Sequence, residues 1–246
     1  MNRPVALLAV GFAATFAMHV EAQKIADQQS RREALVLYRT GQEFMSAERF
    51  DRAAEAFTDA VAKDSLLTVA HYGLGQAYMN LQRFASAIKA YKDCIEAMRA
   101  LHGLQQTNQF EADKQRDDQI RELRGVLDRA RQSARAPTVM ALEQQLRDLQ
   151  NLRTSIAGPF RAPGEVLLAL GSAYFRNGDR DAAEVQWKAA IDANPKLGEA
   201  HNNLAVIYMQ TERLDAAEEE LKLAEKAGFR VNPQFKEDLK KRRAAR

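Results

Sequence analysis

The chain is poor in the residues that chemistry or cross-linking would need. Among its 246 residues there is one cysteine, Cys94, so it has no internal disulfide and no cysteine-based metal cluster. Histidines number four, and no HExxH, GxSxG, P-loop or Rossmann fingerprint occurs. Without a recognisable nucleophile, metal site or phosphate loop, the sequence points away from an enzyme and calls for no cofactor. Glycine (12) and proline (6) are scarce, and no segment alternates apolar and β-branched residues as strands do. Charge of one sign is lacking too: 36 basic against 33 acidic side chains, interspersed along the chain. The isoelectric point near 9.0 therefore does not signal nucleic acid, whose readers concentrate charge on one face. What is abundant is Ala, Leu, Glu, Arg, Lys and Gln, the residues that lose least on entering a helix. An all-α protein is expected.

The one long apolar run is at the N-terminus. Met1-Asn2-Arg3 precedes an uncharged stretch from Pro4 to Val20, which ends in Val20-Glu21-Ala22. One positive charge, a short apolar core and a small-residue exit have the form of a secretory signal, with cleavage expected after Ala22. A periplasmic or secreted protein follows, with membrane contact only if the segment stays uncleaved as an anchor.

A period of 34 residues runs through much of the rest. Residues 34–67 align with 68–101, 164–197 and 198–231. Gly41 matches Gly75, Gly171 and Ala205. Phe44 matches Tyr78, Tyr174 and Tyr208. Ala53 matches Ala87, Ala183 and Ala217. Phe57 matches Tyr91, Trp187 and Leu221, and Ala60 matches Cys94, Ala190 and Ala224. Within a block the small residues fall at helical spacing, where two helices cross too closely for a large side chain, and the rings fill the space beside them. The intervening SAERFD, NLQRFA, RNGDRD and QTERLD are polar turns carrying one apolar anchor such as Phe50, Phe84 or Leu214. This pattern resembles the tetratricopeptide repeat, a helix-turn-helix unit that stacks with its neighbours into an α-solenoid. After the last block, Asn232-Pro233 reads as an N-cap and first helical residue of a terminal capping helix over 232–246. Its Phe235 and Leu239 should face inward, with Lys236, Lys240, Lys241, Arg242 and Arg243 in water.

Residues 102–163 interrupt the period. Asn108 with Glu111 has the form of a capping box opening a helix. Ile120, Leu123, Leu127, Ala130 and Ala134 recur at spacings of three and four, as do Leu142, Leu146, Leu149, Leu152 or Arg153, and Ile156 after Pro137. Two antiparallel helices meeting along a coiled-coil seam are expected. The first either continues the second helix of repeat two or is broken from it near Gly103. The hairpin serves as a spacer or as a projecting arm for homo-oligomerisation. It should disturb stacking between the second and third repeats, giving two half-grooves.

The resemblance also implies where a partner binds: along a concave face built from the first helix of each repeat. The positions are Leu35, Tyr38, Gln42 and Met45; Val69, Tyr72, Gln76 and Met79; Glu165, Leu168, Ser172 and Phe175; Glu199, Asn202, Val206 and Met209. Relatives that clamp a C-terminal carboxylate carry Lys, Arg and Asn at set groove positions, where this chain has Tyr38, Gln42, Gly73 and Glu165. An internal, partly apolar segment of another protein is the expected ligand. Met adapts to varied partners and Tyr supplies rigid area with a polar tip. His71 and His201, at equivalent repeat positions, read as packing residues, as do Cys94 and Trp187. Acidic pairs such as Asp117-Asp118 and the run Glu218-Glu219-Glu220 read as solvated charge.

Overall fold

A computed structural model describes residues 26–132, 136–151 and 158–245. The expected leader and its cleavage point lie outside the described residues. Every described element is a helix: α1 (Gln28–Ser46), α2 (Phe50–Lys63), α3 (Thr68–Asn80), α4 (Phe84–Gln132), α5 (Ala136–Asn151), α6 (Gly164–Arg176), α7 (Arg180–Ala193), α8 (Gly198–Gln210), α9 (Leu214–Lys226) and α10 (Pro233–Ala244). None of them is long and apolar enough to cross a membrane.

Four hairpins, α1–α2, α3–α4, α6–α7 and α8–α9, each pack internally, and the second helix of each packs on the first helix of the next. The period explains why. A Cβ built on Gly41 would lie 2.5 Å from the Phe57 ring, one on Gly75 2.5 Å from Tyr91, and one on Gly171 2.5 Å from Trp187. The ring of the second helix therefore lies directly on bare backbone of the first. Phe57 also reaches across to the next repeat, where a Cβ on Gly73 would meet it at 2.7 Å. In the fourth repeat the smaller Leu221 leaves room for Ala205. The alanines at the other crossing points, Ala53, Ala60, Ala87, Ala183, Ala190, Ala217 and Ala224, are wholly buried.

The turns between paired helices share one backbone solution. Glu48, Gln82, Gly178 and Glu212, at one position of the period, all take the left-handed conformation, with φ of 56°, 57°, 91° and 57°. Each lets the chain reverse within a few residues, and the next amide closes the helix end: Arg49 N–H donates to Phe44 O at 2.9 Å and Arg83 N–H to Tyr78 O at 2.9 Å. The turns between repeats are closed by a histidine where one repeat directly follows another. His71 is buried with Nε2 2.9 Å from Ser65 O, and His201 is buried with Nε2 3.3 Å from Pro195 O. The same position holds Leu37 and Leu167 in the repeats that follow other kinds of segment.

In the insertion, α4 runs unbroken through Gly103 to Gln132, so the second helix of repeat two and the first helix of the arm are one element. Asn108 and Glu111, expected to open a helix, instead lie in its interior. One glycine costs a helix only about 1 kcal/mol, less than a break and a new nucleation would. Beyond His102 the helix projects for about 45 Å. Its distal part packs against α5: Leu127 is buried, Leu123 and Val126 face Leu149 across a narrow cleft, and Arg131 pairs with Glu143 at 2.7 Å. Ala134, Leu152, Arg153 and Ile156 of the expected seam lie outside the described residues. The returning chain is fastened at the base of the arm, where His102 Nε2–H donates to Gly158 O at 2.9 Å. Phe160 packs there against His102 and under the Arg99 guanidinium.

The expected division into two half-grooves is not what the structure has. Helix α4 packs on α6 just as α2 packs on α3, with Ile88 and Tyr91 against Leu170 and Ala173. Lys92 lies 5.4 Å from the Tyr174 ring and Arg176 5.1 Å from Phe84 across the same junction. The insertion leaves at the end of a helix and returns at the start of the next, so it never enters the interface.

At the C-terminus, Asn232 caps α10 through Gln234 N–H at 2.9 Å, and Leu239 is buried. The five basic residues expected to face water are exposed, and three of them also form ion pairs. Lys236 pairs with Glu225 at 2.6 Å, Arg242 with Glu212 at 3.3 Å, and Arg243 with both Asp215 and Glu218. The acidic run on α9 likewise has partners: Glu218 also pairs with Lys222, and Glu220 accepts from buried His201 at 2.6 Å. Apart from Glu218 with Lys222, these pairs join residues 11 to 30 apart in sequence, which local spacing does not reveal.

Candidate functional site

The residues expected to line a groove all fall on α1, α3, α6 and α8. Within each helix they occur at i, i+3, i+7 and i+10, one stripe of the helix surface. Gly41, Gly75, Gly171 and Ala205 lie against the second helices on the flank of this stripe, and none of the sixteen stripe residues is fully buried, so the stripe looks outward at its edge. The four stripes form one surface. Burial first, then nearby Cys94 and the carboxylates of Glu165 and Glu199, raise the Tyr72 hydroxyl above its ordinary value. Glu165 lies on α6 and Glu199 on α8, so side chains of three successive repeats act on one another there.

The surface has a floor and a rim. Tyr38, Met45, Tyr72, Met79, Leu168, Phe175 and Met209 are half-buried and pack onto the cores of their repeats. Tyr38 lies on Phe57 at 5.7 Å, Tyr72 on Tyr91 at 5.5 Å and Phe175 on Trp187 at 5.6 Å between ring centroids. These side chains therefore hold the hairpins together while presenting an edge outward. The rim is freer. Gln42 and Gln76 are exposed, Gln42 donating to the Tyr38 hydroxyl at 2.7 Å. Asn202 is half-buried. Leu35 and Val69, one turn before the tyrosines, are 45% and 43% exposed, large apolar side chains left in water. At the same positions in the last two repeats stand Glu165 and Glu199, both exposed; Glu165 accepts from Asn194 Nδ2 at 3.2 Å.

Among the described residues no group of three or more His, Cys, Asp or Glu is placed to hold a metal ion. Cys94 is wholly buried, its thiol donates to Thr68 O at 3.3 Å, and burial pushes its pKa up to about 11, so it is a poor nucleophile.

Sequence spacing also missed a polar clamp between the third and fourth repeats. Arg213 grips Glu184 with both terminal nitrogens, at 3.0 and 2.6 Å, and lies 4.3 Å over the Tyr208 ring; Lys188 joins Glu184 at 2.7 Å. The hydrogen bond from Arg213 does most to draw Glu184 down to a pKa of about 2, against the opposing effect of its partial burial.

Helix pairs stacked in register, with a continuous face of first helices, define an α-solenoid, an architecture of the kind that serves as a protein-interaction scaffold. The sequence profile of the tetratricopeptide repeat matches residues 38–97 and 168–228, two adjacent repeats on either side of the insertion, and the chain belongs to the tetratricopeptide-repeat family. Similar solved structures include YrrB, described as a TPR protein with an unusual peptide-binding site (17% identity, 87% of this chain and 95% of that one, TM-score 0.31). TTC0263, a thermophilic TPR protein of Thermus thermophilus, matches at 21% identity over 86% of this chain and 97% of that one, TM-score 0.34. PilW, a type IV pilus biogenesis factor, matches at 16% over 85% and 82%, TM-score 0.39. No curated protein matches the chain.

Proposed function

We propose that this chain is a non-catalytic scaffold that holds an internal segment of another polypeptide along the face of α1, α3, α6 and α8, and that it works outside the cytoplasm. The observation that carries the binding reading is the uninterrupted stacking of α4 on α6. It joins the faces of all four repeats into one surface with half-buried Tyr, Met and Phe as its floor and exposed Leu35, Val69, Gln42 and Gln76 along its edge. Amphipathic rings and adaptable thioethers suit a segment whose side chains must be accepted without a rigid pocket. The extracytoplasmic reading rests on the leader-like composition of residues 1–22 alone.

Replacing Tyr72 and Met79 with Ala should weaken peptide capture by about 1–3 kcal/mol if they anchor the ligand. Because Tyr72 also packs on Tyr91, the cleaner variant is Val69→Ser, which removes apolar surface at an exposed site and leaves the core intact. Titration calorimetry with peptides selected on the purified chain should show weaker binding for Val69→Ser at unchanged thermal stability. Undiminished binding in both Val69→Ser and the Tyr72/Met79 double variant would refute the assignment of this face. Detection of the mature N-terminus at Gln23 in protein recovered from the envelope or medium checks the location.

A second reading has its own observation. Phe110 on α4 and Met140 on α5 are 67% and 71% exposed, large apolar side chains on the arm. Self-association through 102–163 would cover them. Light scattering before and after replacing the arm with a short linker tests this: loss of an oligomer supports it, and a monomer in both cases removes it.

A further inference from the structure

The outward stripe is not chemically uniform along the solenoid. At its first position in each repeat the residues run Leu35, Val69, Glu165 and Glu199. At its second they run Tyr38, Tyr72, Leu168 and Asn202, and the third and fourth positions hold only uncharged residues. The two carboxylates are thus the only charges among the sixteen stripe positions, and both lie beyond the arm. Each is exposed. Glu199 forms no ion pair among the described residues, and it shares this with Asp181, Asp192 and Glu219, whereas Glu184 pairs with Arg213, Glu218 with Lys222 and Glu225 with Lys236. Glu165 has only the neutral amide of Asn194. Both also occupy the first turn of their helix, where a carboxylate gains from the helix's positive end. That accounts for their tolerance there but not for their place on the outward stripe, and α3 carries Val69 in its own first turn without an acid. The consequence is felt at Tyr72, on the apolar half of the surface, which both carboxylates reach electrostatically.

Resting on the proposal that this face takes a peptide, we infer that its occupant is a cationic one: a segment that lays bulky apolar side chains against Leu35, Tyr38, Val69 and Tyr72 and brings Lys or Arg to Glu165 and Glu199. The polarity is opposite to that of a groove that clamps a terminal carboxylate. Apolar side chains gain from covering Leu35 and Val69, and the cations fix which way along the solenoid the segment runs. Rim charges of this kind act on register, partner choice and association rate more than on total affinity.

The test uses the purified chain and three series of synthetic peptides with one apolar pattern, differing only in Lys, Ser or Glu at guest positions. Binding is measured by fluorescence anisotropy at low and high salt. The Lys series should bind tightest and the Glu series weakest, the gap closing as salt rises. Glu165→Gln with Glu199→Gln should weaken the Lys series about three- to thirtyfold at low salt and leave the Ser series unchanged. Glu165→Lys with Glu199→Lys should reverse the ranking. Both sites are exposed, so circular dichroism should show all variants folded. Equal binding of the three series, or a preference for Lys that survives the Gln variants, overturns the cationic occupant while leaving the groove in place, provided Val69→Ser still weakens every series. If no series binds and Val69→Ser changes nothing, the groove itself is wrong and the cationic occupant falls with it.

Discussion

Cys94 stands where the other repeats have Ala60, Ala190 and Ala224, and it behaves as a slightly larger alanine. Its burial and its raised pKa predict that thiol reagents will modify it only after unfolding, a result that alkylation followed by mass analysis across a urea series can check. The four left-handed turn residues offer a sharper comparison. Gly178 adopts its φ of 91° freely, and a Cβ built on it meets nothing within 4 Å, so Gly178→Ala should cost about 1 kcal/mol through backbone strain alone. Gln82, held at φ 57°, should show the opposite sign: Gln82→Gly relieves strain but frees the unfolded chain, for a net gain of about 0.5 kcal/mol. Denaturant midpoints of the two variants measure both. Three of these turns carry Glu or Gln, residues with no turn signature, which is why the sequence announced a turn there without announcing its conformation.

Between elements, the decisive pairs are a missing side chain and a ring. Gly75→Ala would normally strengthen a helix by about 1 kcal/mol, yet here the added carbon lands 2.5 Å from Tyr91. Overpacking typically costs about 1–3 kcal/mol, so the variant should be destabilised on balance. The fourth repeat pairs Ala205 with Leu221 in the same places, so adding Tyr91→Leu to Gly75→Ala should recover part of the loss, measured as the coupling in a double-mutant cycle. These contacts were legible from the sequence because they recur every 34 residues. Those made once were not. The Glu184–Arg213 clamp, the pairing of Arg243 with Asp215 and Glu218, and the passage of α4 through Asn108 each depend on where one particular backbone goes. The clamp also has a pH signature. Glu184 titrates near 4.5 when unperturbed and near 2 in the fold, so its contribution is complete above about pH 5 and lost as pH falls toward 2. Glu184→Gln should flatten the dependence of the unfolding midpoint on pH across that window and lower stability at neutral pH by on the order of 1 kcal/mol.

For the whole molecule, the arm and the solenoid are separable in a specific sense. The interface of α4 with α6 uses Ile88, Tyr91, Leu170 and Ala173, none of them in the insertion, and His102 bonds Gly158 directly across its base. A short linker in place of residues 103–157 should therefore leave one cooperative thermal transition, with helicity reduced by the arm's share. Two separate transitions would show that the insertion supports the junction. The positions expected to line a groove came from the family resemblance, and they lie along one stripe of each first helix. That seven of the sixteen also pack on the core follows from burial, which the spacing alone does not give.

Because α4 passes from the stack into the arm without a joint, the arm is a lever as well as an appendage. One degree of rotation of that helix where it rests on α6 sweeps the far end through about 0.8 Å, and a load on the far end twists the seam between the second and third repeats with the same mechanical advantage. A partner that gripped the far end of α4 would therefore also act on how the second repeat sits against the third.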